Sequence, residues 1–334
     1  MNFKPFLIST VSLLLLSGMM GCTTKQDSPF AEERDSTASE LTINGLRYRF
    51  SADTITQLTV DDDPRVCYGV ISDIHGEIER TEYFVRLLRE RDIDAILVPG
   101  DLVKNEHLRY GLADQRDDFD ELAMVLAALG KSDLPVLLVP GNHERKDDWS
   151  TAIAAARKTY PNILDMAQYR RFDGDDADIV SLPGYQIKQI PGRQFIPDDG
   201  FWATPTMIRN LGRLRDGLDD PVVLLTHGPP YTGLTPGPGM VQGGEDVGVV
   251  LTTTMMKEKA IPFAVVGHIH EAGGSAATLD GKNMEQGKWS ETLVANFGTL
   301  ETWLNNNEKT YQGMAGILTI DGKKGKYEMI VVEE

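Results

Sequence analysis

Between Val66 and Val139 the apolar positions follow two different periods in turn. Val66–Ser72, Ala95–Val98 and Pro135–Val139 are short, nearly continuous apolar runs, the pattern of strands covered on both faces. Between them, Glu79–Glu90 sets Phe84, Leu87 and Leu88 at helical spacing, and Asp117–Leu129 reads as a second helix. This βαβαβ alternation predicts a parallel sheet, with the chemistry in loops at the carboxyl ends of its strands. Upstream, Leu41–Val60 predicts a strand pair. Downstream the chain is richer in strands: Val222–Thr226, Phe263–Val266 and Leu293–Asn296, then a hairpin of Ala315–Ile320 and Tyr327–Val332 around Asp321-Gly322. Two sheets packed face to face, with helices outside, accommodate the pattern. No 20–50-residue period repeats, so solenoids and propellers are set aside.

The first 22 residues belong to a different pattern. Lys4 gives a positive start, Phe6–Leu16 is apolar but for Ser9, Thr10 and Ser12, and small residues lead to Gly21-Cys22. This reads as a secretory signal, too short and badly flanked for a stable membrane span. Met19-Met20-Gly21-Cys22 resembles a bacterial lipobox, with Met19 in place of the usual Leu. The resemblance implies cleavage before Cys22 and a lipid on its sulfur, which would attach the protein to a membrane surface. The implied location is the bacterial cell envelope, on the outer membrane in a Gram-negative host because Thr23 rather than Asp follows Cys22. Residues 23–40 have one aromatic side chain and almost nothing to bury, and read as a flexible tether. The folded domain is then 41–334. Cys67 is the one remaining thiol and reads as a small core residue.

Charge narrows the partners. The formal net charge is −17, with no block of Lys and Arg to offset it. Binding along extended nucleic acid calls for a basic face, so that class of partner is set aside. Metal ions could still draw a small anion into a locally positive pocket.

Five of the six histidines fall in short blocks at predicted strand ends: Asp73-Ile74-His75-Gly76, Gly141-Asn142-His143-Glu144, Thr226-His227-Gly228 and Gly267-His268-Ile269-His270. Gly100-Asp101 is a further block. Asp73, Asp101 and Asn142 closely follow the three strands of the first half. Asp73-x-His75 and His268-x-His270 each place two side chains on one side of an extended segment. Together the blocks supply carboxylates, an amide and imidazoles, a ligand set suited to two adjacent divalent cations.

In that order the blocks resemble the signature of the calcineurin-like metallophosphoesterase family, D-x-H, G-D, G-N-H-E/D, H and G-H-x-H, over about Ile71 to His270. The resemblance implies a four-layer α/β/β/α sandwich of two mixed sheets. It implies Asp73, His75 and His270 as ligands of one metal, Asn142, His227 and His268 as ligands of a second, and Asp101 as the bridging carboxylate. Divalent cations about 3.5–4 Å apart need an anion between them, which Asp101 and a shared hydroxide would supply. Mixed oxygen and imidazole ligands suit Mn, Fe, Zn or Co better than Mg or Ca. The implied reaction is hydrolysis of a phosphomonoester or phosphodiester, with the bridging hydroxide as nucleophile. His143 would face the substrate, either as the general acid that protonates the leaving oxygen or to steady charge on the phosphoryl group, with Asp73 orienting it. A metal-containing sensor with a silent site would need a lost ligand, and none is missing. A nuclease of the same fold would need a basic groove.

Other residues are less constrained. Glu144 either caps the next segment or touches chemistry. Asn142, Tyr231 and His107 are candidates for contact with the substrate, and Trp149 and Trp202 could stack on an aromatic group. Gly233–Gly248 is rich in Gly and Pro, lacks the G-K-S/T ending of a phosphate-binding loop, and reads either as a mobile loop beside the site or as a plain connector. Asn296-Phe297-Gly298-Thr299 stands where many relatives in the resemblance have an N-P-G-S turn.

Overall fold

A computed structural model describes residues 38–104, 118–186, 200–304 and 309–333. Cys22, the tether up to Thr37 and His107 lie outside the described residues. No described helix is long and apolar enough to cross a membrane.

The βαβαβ unit forms where the sequence places it. The strands are β4 (Arg65–Val70), β5 (Ala95–Val98) and β6 (Val136–Leu138), joined by α1 (Ile78–Arg89) and α2 (Asp118–Gly130). They pair in parallel, and β7 (Ile163–Asp165) extends them beyond α3 (Lys146–Ala156). The terminal hairpin, β15 (Thr310–Asp321) and β16 (Lys324–Glu333), adds antiparallel to β4, and β14 (Trp303–Leu304) pairs with the start of β15. These strands make a seven-stranded mixed sheet.

The second sheet has nine strands. The expected strand pair at its edge is a three-stranded meander, β1 (Ser39–Ile43), β2 (Leu46–Ser51) and β3 (Thr54–Gln57), because turns at Asn44-Gly45 and Ala52 split the segment twice. Next come β8 (Arg171–Asp173), β9 (Asp178–Leu182), β10 (Val222–Thr226), β11 (Phe263–Val266) and β13 (Leu293–Asn296), with β12 (Ala276–Ala277) at the far edge. The sequence reading missed β7, β8 and the short helices α4 (Pro205–Arg209) and α5 (Leu211–Arg215), too short to show a period, and β9, whose apolar run is broken by Asp178 and Ser181.

Strand alternation builds the layers. Val223, Leu225 and Val265 face the inter-sheet core with Tyr68, Val70, Leu97 and Leu137. Val222, Leu224 and Val266 face outward onto Ile208, Leu211, Leu214 and Met256, from α4, α5 and α6 (Val250–Glu258). On the opposite side, a side chain at Gly69 would run into Leu88 of α1, so that helix lies directly on the seven-stranded sheet. The result is the four-layer α/β/β/α sandwich. Its geometry brings the carboxyl ends of β4, β5 and β6 against those of β10 and β11.

Candidate metal centre

At that junction the backbone leaves the extended conformation. Asp73, His75, Asp101 and His268 have φ of 47°, 47°, 51° and 67°, the left-handed region that costs an L-residue roughly 1 kcal/mol or more. The extended geometry expected for Asp73-x-His75 and His268-x-His270 is therefore replaced by kinks, with a 3-10 turn beginning at His270. Backbone hydrogen bonds hold the kinks: Asp73 N–H to Gly100 O at 3.1 Å, His75 N–H to Asp101 O at 3.1 Å and Gly267 N–H to His227 O at 3.1 Å. Space is the second constraint. A Cβ on Gly100 would lie 2.6 Å from Gly141 N and 2.9 Å from His227 Nδ1, and one on Gly267 would collide with Ser72 and Asp73.

All seven ligand candidates converge. Asp73, His75 and His270 offer atoms within 4.8 Å of one another, and so do Asp101, His227 and His268. Asn142 Oδ1 is 3.0 Å from His227 Nε2. His268 and His270, two residues apart, thus serve different clusters. Asp101 stands between the clusters: its Oδ2 is 3.1 Å from His227 Nε2 and 4.0 Å from His75 Nε2. Its Oδ1 accepts from the Asn142 and His143 N–H groups at 2.8 and 3.0 Å.

The donor set fits cations. His75 Nδ1 donates to Val103 O at 3.2 Å and His227 Nδ1 to Pro99 O at 3.1 Å, which leaves each Nε2 as a lone pair aimed inward. His75 Nε2 lies 3.2 Å from His270 Nε2, and His227 Nε2 lies 3.1 Å from His268 Nδ1. Lone pairs and carboxylate oxygens this close need protons or metal ions among them. Electrostatics agree. Burial pushes His75 down to about 3, and burial with the adjacent His227 does the same to His268. Burial also opposes charge on His227, but Asp101, Asp73 and Glu144 overcome it and push it up to about 9. Without a cation these anions hold His227 protonated, and on His270, where burial also opposes charge, Asp73 and Asp101 push in the same direction.

His143 sits at the edge of this group. Its Nε2 is 3.8 Å from Asp101 Oδ2, and its ring meets His75 with centroids 4.8 Å apart. The orienting contact is Nδ1–H to Lys104 O at 2.6 Å rather than the expected Asp73. Asp73 instead accepts from Ser72, from the His268 N–H at 3.0 Å and from His270 at 3.2 Å.

Several supporting groups carried no sequence signal. Glu144 is buried and neither caps α3 nor faces the clusters. Its Oε1 accepts from Leu102 and Val103 N–H at 2.6 and 3.2 Å, and its Oε2 from Gly141 N–H at 2.6 Å, so it ties the Asp101 loop to the Asn142 loop. Burial and the Asp101 charge push its carboxyl up to about 7. Glu121 of α2 accepts from the Lys104 N–H at 2.8 Å. Tyr185 stacks on His268 with centroids 3.8 Å apart, and Trp303 meets the His270 ring edge-on at 4.6 Å. The Asn296–Thr299 turn forms with Thr in place of Ser: Gly298 has φ 78°, and the Thr299 hydroxyl donates to Asp73 O at 2.7 Å.

Two expectations are corrected. Trp149 is a core residue, 2% exposed, with its indole N–H on Asp165, and reaches no substrate. The 233–248 loop is cross-tied rather than loose: Asp246 accepts from the Thr232, Gly233 and Gly248 N–H groups at 2.8–2.9 Å. Asn296 also clamps the loop by donating to Pro238 O at 3.0 Å. Tyr231 is exposed at the base of this loop, against Gly233.

Comparison with known proteins follows the geometry. Residues 68–272 match the family described as calcineurin-like phosphoesterase. No curated protein matches the chain significantly. Among solved structures, the chain is similar to TT1561 of Thermus thermophilus, with 16% identity over 80% of this chain and 99% of that one and a TM-score of 0.54. It is also similar to a dimetal phosphatase from Danio rerio, with 13% identity over 81% and 99% and a TM-score of 0.52. At these identities the likeness is one of fold.

Proposed function

Because the chain belongs to the calcineurin-like phosphoesterase family, we propose that it hydrolyses phosphoesters with two divalent metal ions, at the bacterial envelope. The observation that carries this is Asp101 Oδ2, a buried carboxylate oxygen set between the two groups of ligand candidates. Asp73, His75 and His270 would hold one ion, Asn142, His227 and His268 the other. Mixed oxygen and imidazole donors favour Mn, Fe, Zn or Co. When bound, such a pair supplies Lewis acidity to the phosphoryl oxygens and an activated water as nucleophile.

The chain's own part is positioning and proton transfer. His75 and His227 are locked in the tautomer that turns Nε2 inward. His143, with its Nδ1–H fixed on Lys104 O, delivers a proton from Nε2 to the departing oxygen. Glu144 keeps the Asp101 and Asn142 loops in register while this happens. The test is turnover by purified, metal-loaded protein of phosphomonoesters, cyclic and linear diesters, nucleotides and phospholipid headgroups. Activity should vanish with chelation and return with metal. Failure to turn over any of these, with both ions present by elemental analysis, would sink the hydrolase reading.

Metal uptake should be coupled to protons. The folded value of about 9 leaves His227 protonated at pH 7, and an ion can take its Nε2 only as that proton leaves. Loading the metal-free protein at pH 7 should release about one proton from this site, and apparent affinity should rise with pH until about 9. Calorimetry in buffers of differing ionisation enthalpy measures this. Loading without proton release at pH 7 would contradict the assignment of His227 as a ligand.

The envelope location rests on Gly21-Cys22 and the tether after it. Cys22→Ser should block lipid attachment and leave either an uncleaved precursor or a soluble species. Mass spectrometry of the native N-terminus decides it: an unmodified Cys22, or cleavage elsewhere, removes the anchor from the proposal. Since the tether supplies no ligand, the body from about Leu41 should keep its specific activity without residues 1–40.

A further inference from the structure

Beside the metal centre lies a cavity of about 250 Å³ lined by Gln242, Glu271, Trp303 and Leu304. Its walls come from three parts of the chain. The Gly- and Pro-rich loop brings Gln242, Glu271 directly follows His270, and Trp303–Leu304 is β14. Two contacts join it to the centre. The Trp303 ring meets the His270 ring edge-on, 4.6 Å between centroids, and the Gln242 N–H donates to Glu271 Oε1 at 2.9 Å. A phosphoryl substituent directed past His270 would meet Trp303.

The chemistry of the walls selects the occupant. Trp303 is half-buried and Leu304 is 48% exposed, so an open apolar surface stands next to a polar centre. Among the described residues the charged group lining the cavity is the Glu271 carboxylate, and Glu301 Oε2 lies 4.0 Å from His270 Nδ1 on the same side. Lys104 offers no counterweight within the cavity, because its Nζ is paired with Glu77 at 3.5 Å and Glu301 at 3.7 Å. A second phosphate or a carboxylate placed here would face Glu271, with no cation lining the pocket among the described residues.

Resting on the phosphoesterase reading, we propose that this cavity is the subsite for the alcohol portion of the substrate. It selects phosphoesters whose alcohol is aromatic or apolar, carries no further anion, and gains from an ammonium group. Trp303 supplies the stacking surface and Glu271 the charge discrimination. Polyphosphates and multiply phosphorylated alcohols are disfavoured.

The experiment uses three aryl phosphates of similar size, phenyl phosphate bearing a 4-methyl, 4-aminomethyl or 4-carboxy group, with glycerol 2-phosphate as a non-aromatic reference. In the unsubstituted protein kcat/KM should fall in the order ammonium, neutral, carboxylate, over a span of about tenfold. Glu271→Gln should compress that span to within about twofold. Trp303→Ala should lower the ratio of the neutral aryl ester to glycerol 2-phosphate by roughly threefold to tenfold. Since both residues adjoin His270, ratios are taken within each variant and metal content is measured alongside. The matching arylphosphonates, which are not hydrolysed, report binding alone through tryptophan fluorescence. If no phosphoester is turned over, the hydrolase reading fails while the phosphonate affinities still test the cavity. If esters are hydrolysed but the charge series is flat or reversed in the unsubstituted protein, the subsite proposal is overturned.

Discussion

Asp101→Ala should lose at least one metal ion and essentially all turnover. The Asp101 carboxylate serves both groups of ligand candidates at once. Its Oδ2 lies within 3.1–4.0 Å of His227, His143 and His75, while its Oδ1 takes the backbone N–H groups of Asn142 and His143. Without it, two cations about 4 Å apart would repel with less anionic charge between them. Two part-buried N–H groups would also lose their acceptor, at about 1–3 kcal/mol each. The loss should exceed the roughly 10–100-fold that follows when only an outer partner of a ligand is removed. Asp101→Asn separates the two effects, because its amide oxygen can still accept from Asn142 and His143 while the charge is gone. It should keep the unfolding temperature of the metal-free protein yet still lose metal. Elemental analysis after dialysis decides the matter: two tightly held ions in Asp101→Ala would end the bridging assignment.

The strands that lead into the site were legible because each is buried on both faces and so reads as an unbroken apolar run. Ala95–Val98, Val222–Thr226, Phe263–Val266 and Leu293–Asn296 form with the boundaries the pattern suggests. The seven ligand candidates were legible because Asp, Asn and His at strand ends are chemically conspicuous. What holds them was not. Glu144 read as a cap or as a group touching chemistry, because only its local position was visible, yet its partners include the N–H groups of Leu102 and Val103, about forty positions away in sequence. Tyr185 and Trp303 set the rings of His268 and His270 through contacts across the fold that no local period encodes. The kinks at Asp73, His75 and Asp101 are equally hidden, since tertiary hydrogen bonds rather than residue preference impose a left-handed φ on non-glycine residues. The β8 and β9 strands escaped for a simpler reason. β8 is three residues long, and in β9 the buried Asp178 and Ser181 break the apolar run that marks the other strands.

His143→Ala or His143→Asn should keep both metal ions while lowering kcat by roughly 10²–10⁴, the range for a lost general acid. The geometry separates His143 from the ligands. Its Nδ1 is committed to Lys104 O at 2.6 Å, and its Nε2 lies 3.8 Å from Asp101, so the ring flanks the clusters without closing either group of proposed ligands. Its backbone N–H, which does bind Asp101, survives both substitutions. Metal content should therefore be unchanged within the precision of elemental analysis. The size of the kinetic loss should depend on the leaving group. An alkoxide departs only with a proton, so its esters should suffer the full loss. A p-nitrophenolate leaves without one, and its ester should suffer far less. Equal losses for the two would mean that His143 steadies the phosphoryl group rather than protonating the departing oxygen. Loss of a metal ion would place His143 among the ligands instead, beside His75 and Asp101, whose candidate donor atoms lie within 4.8 Å of its own.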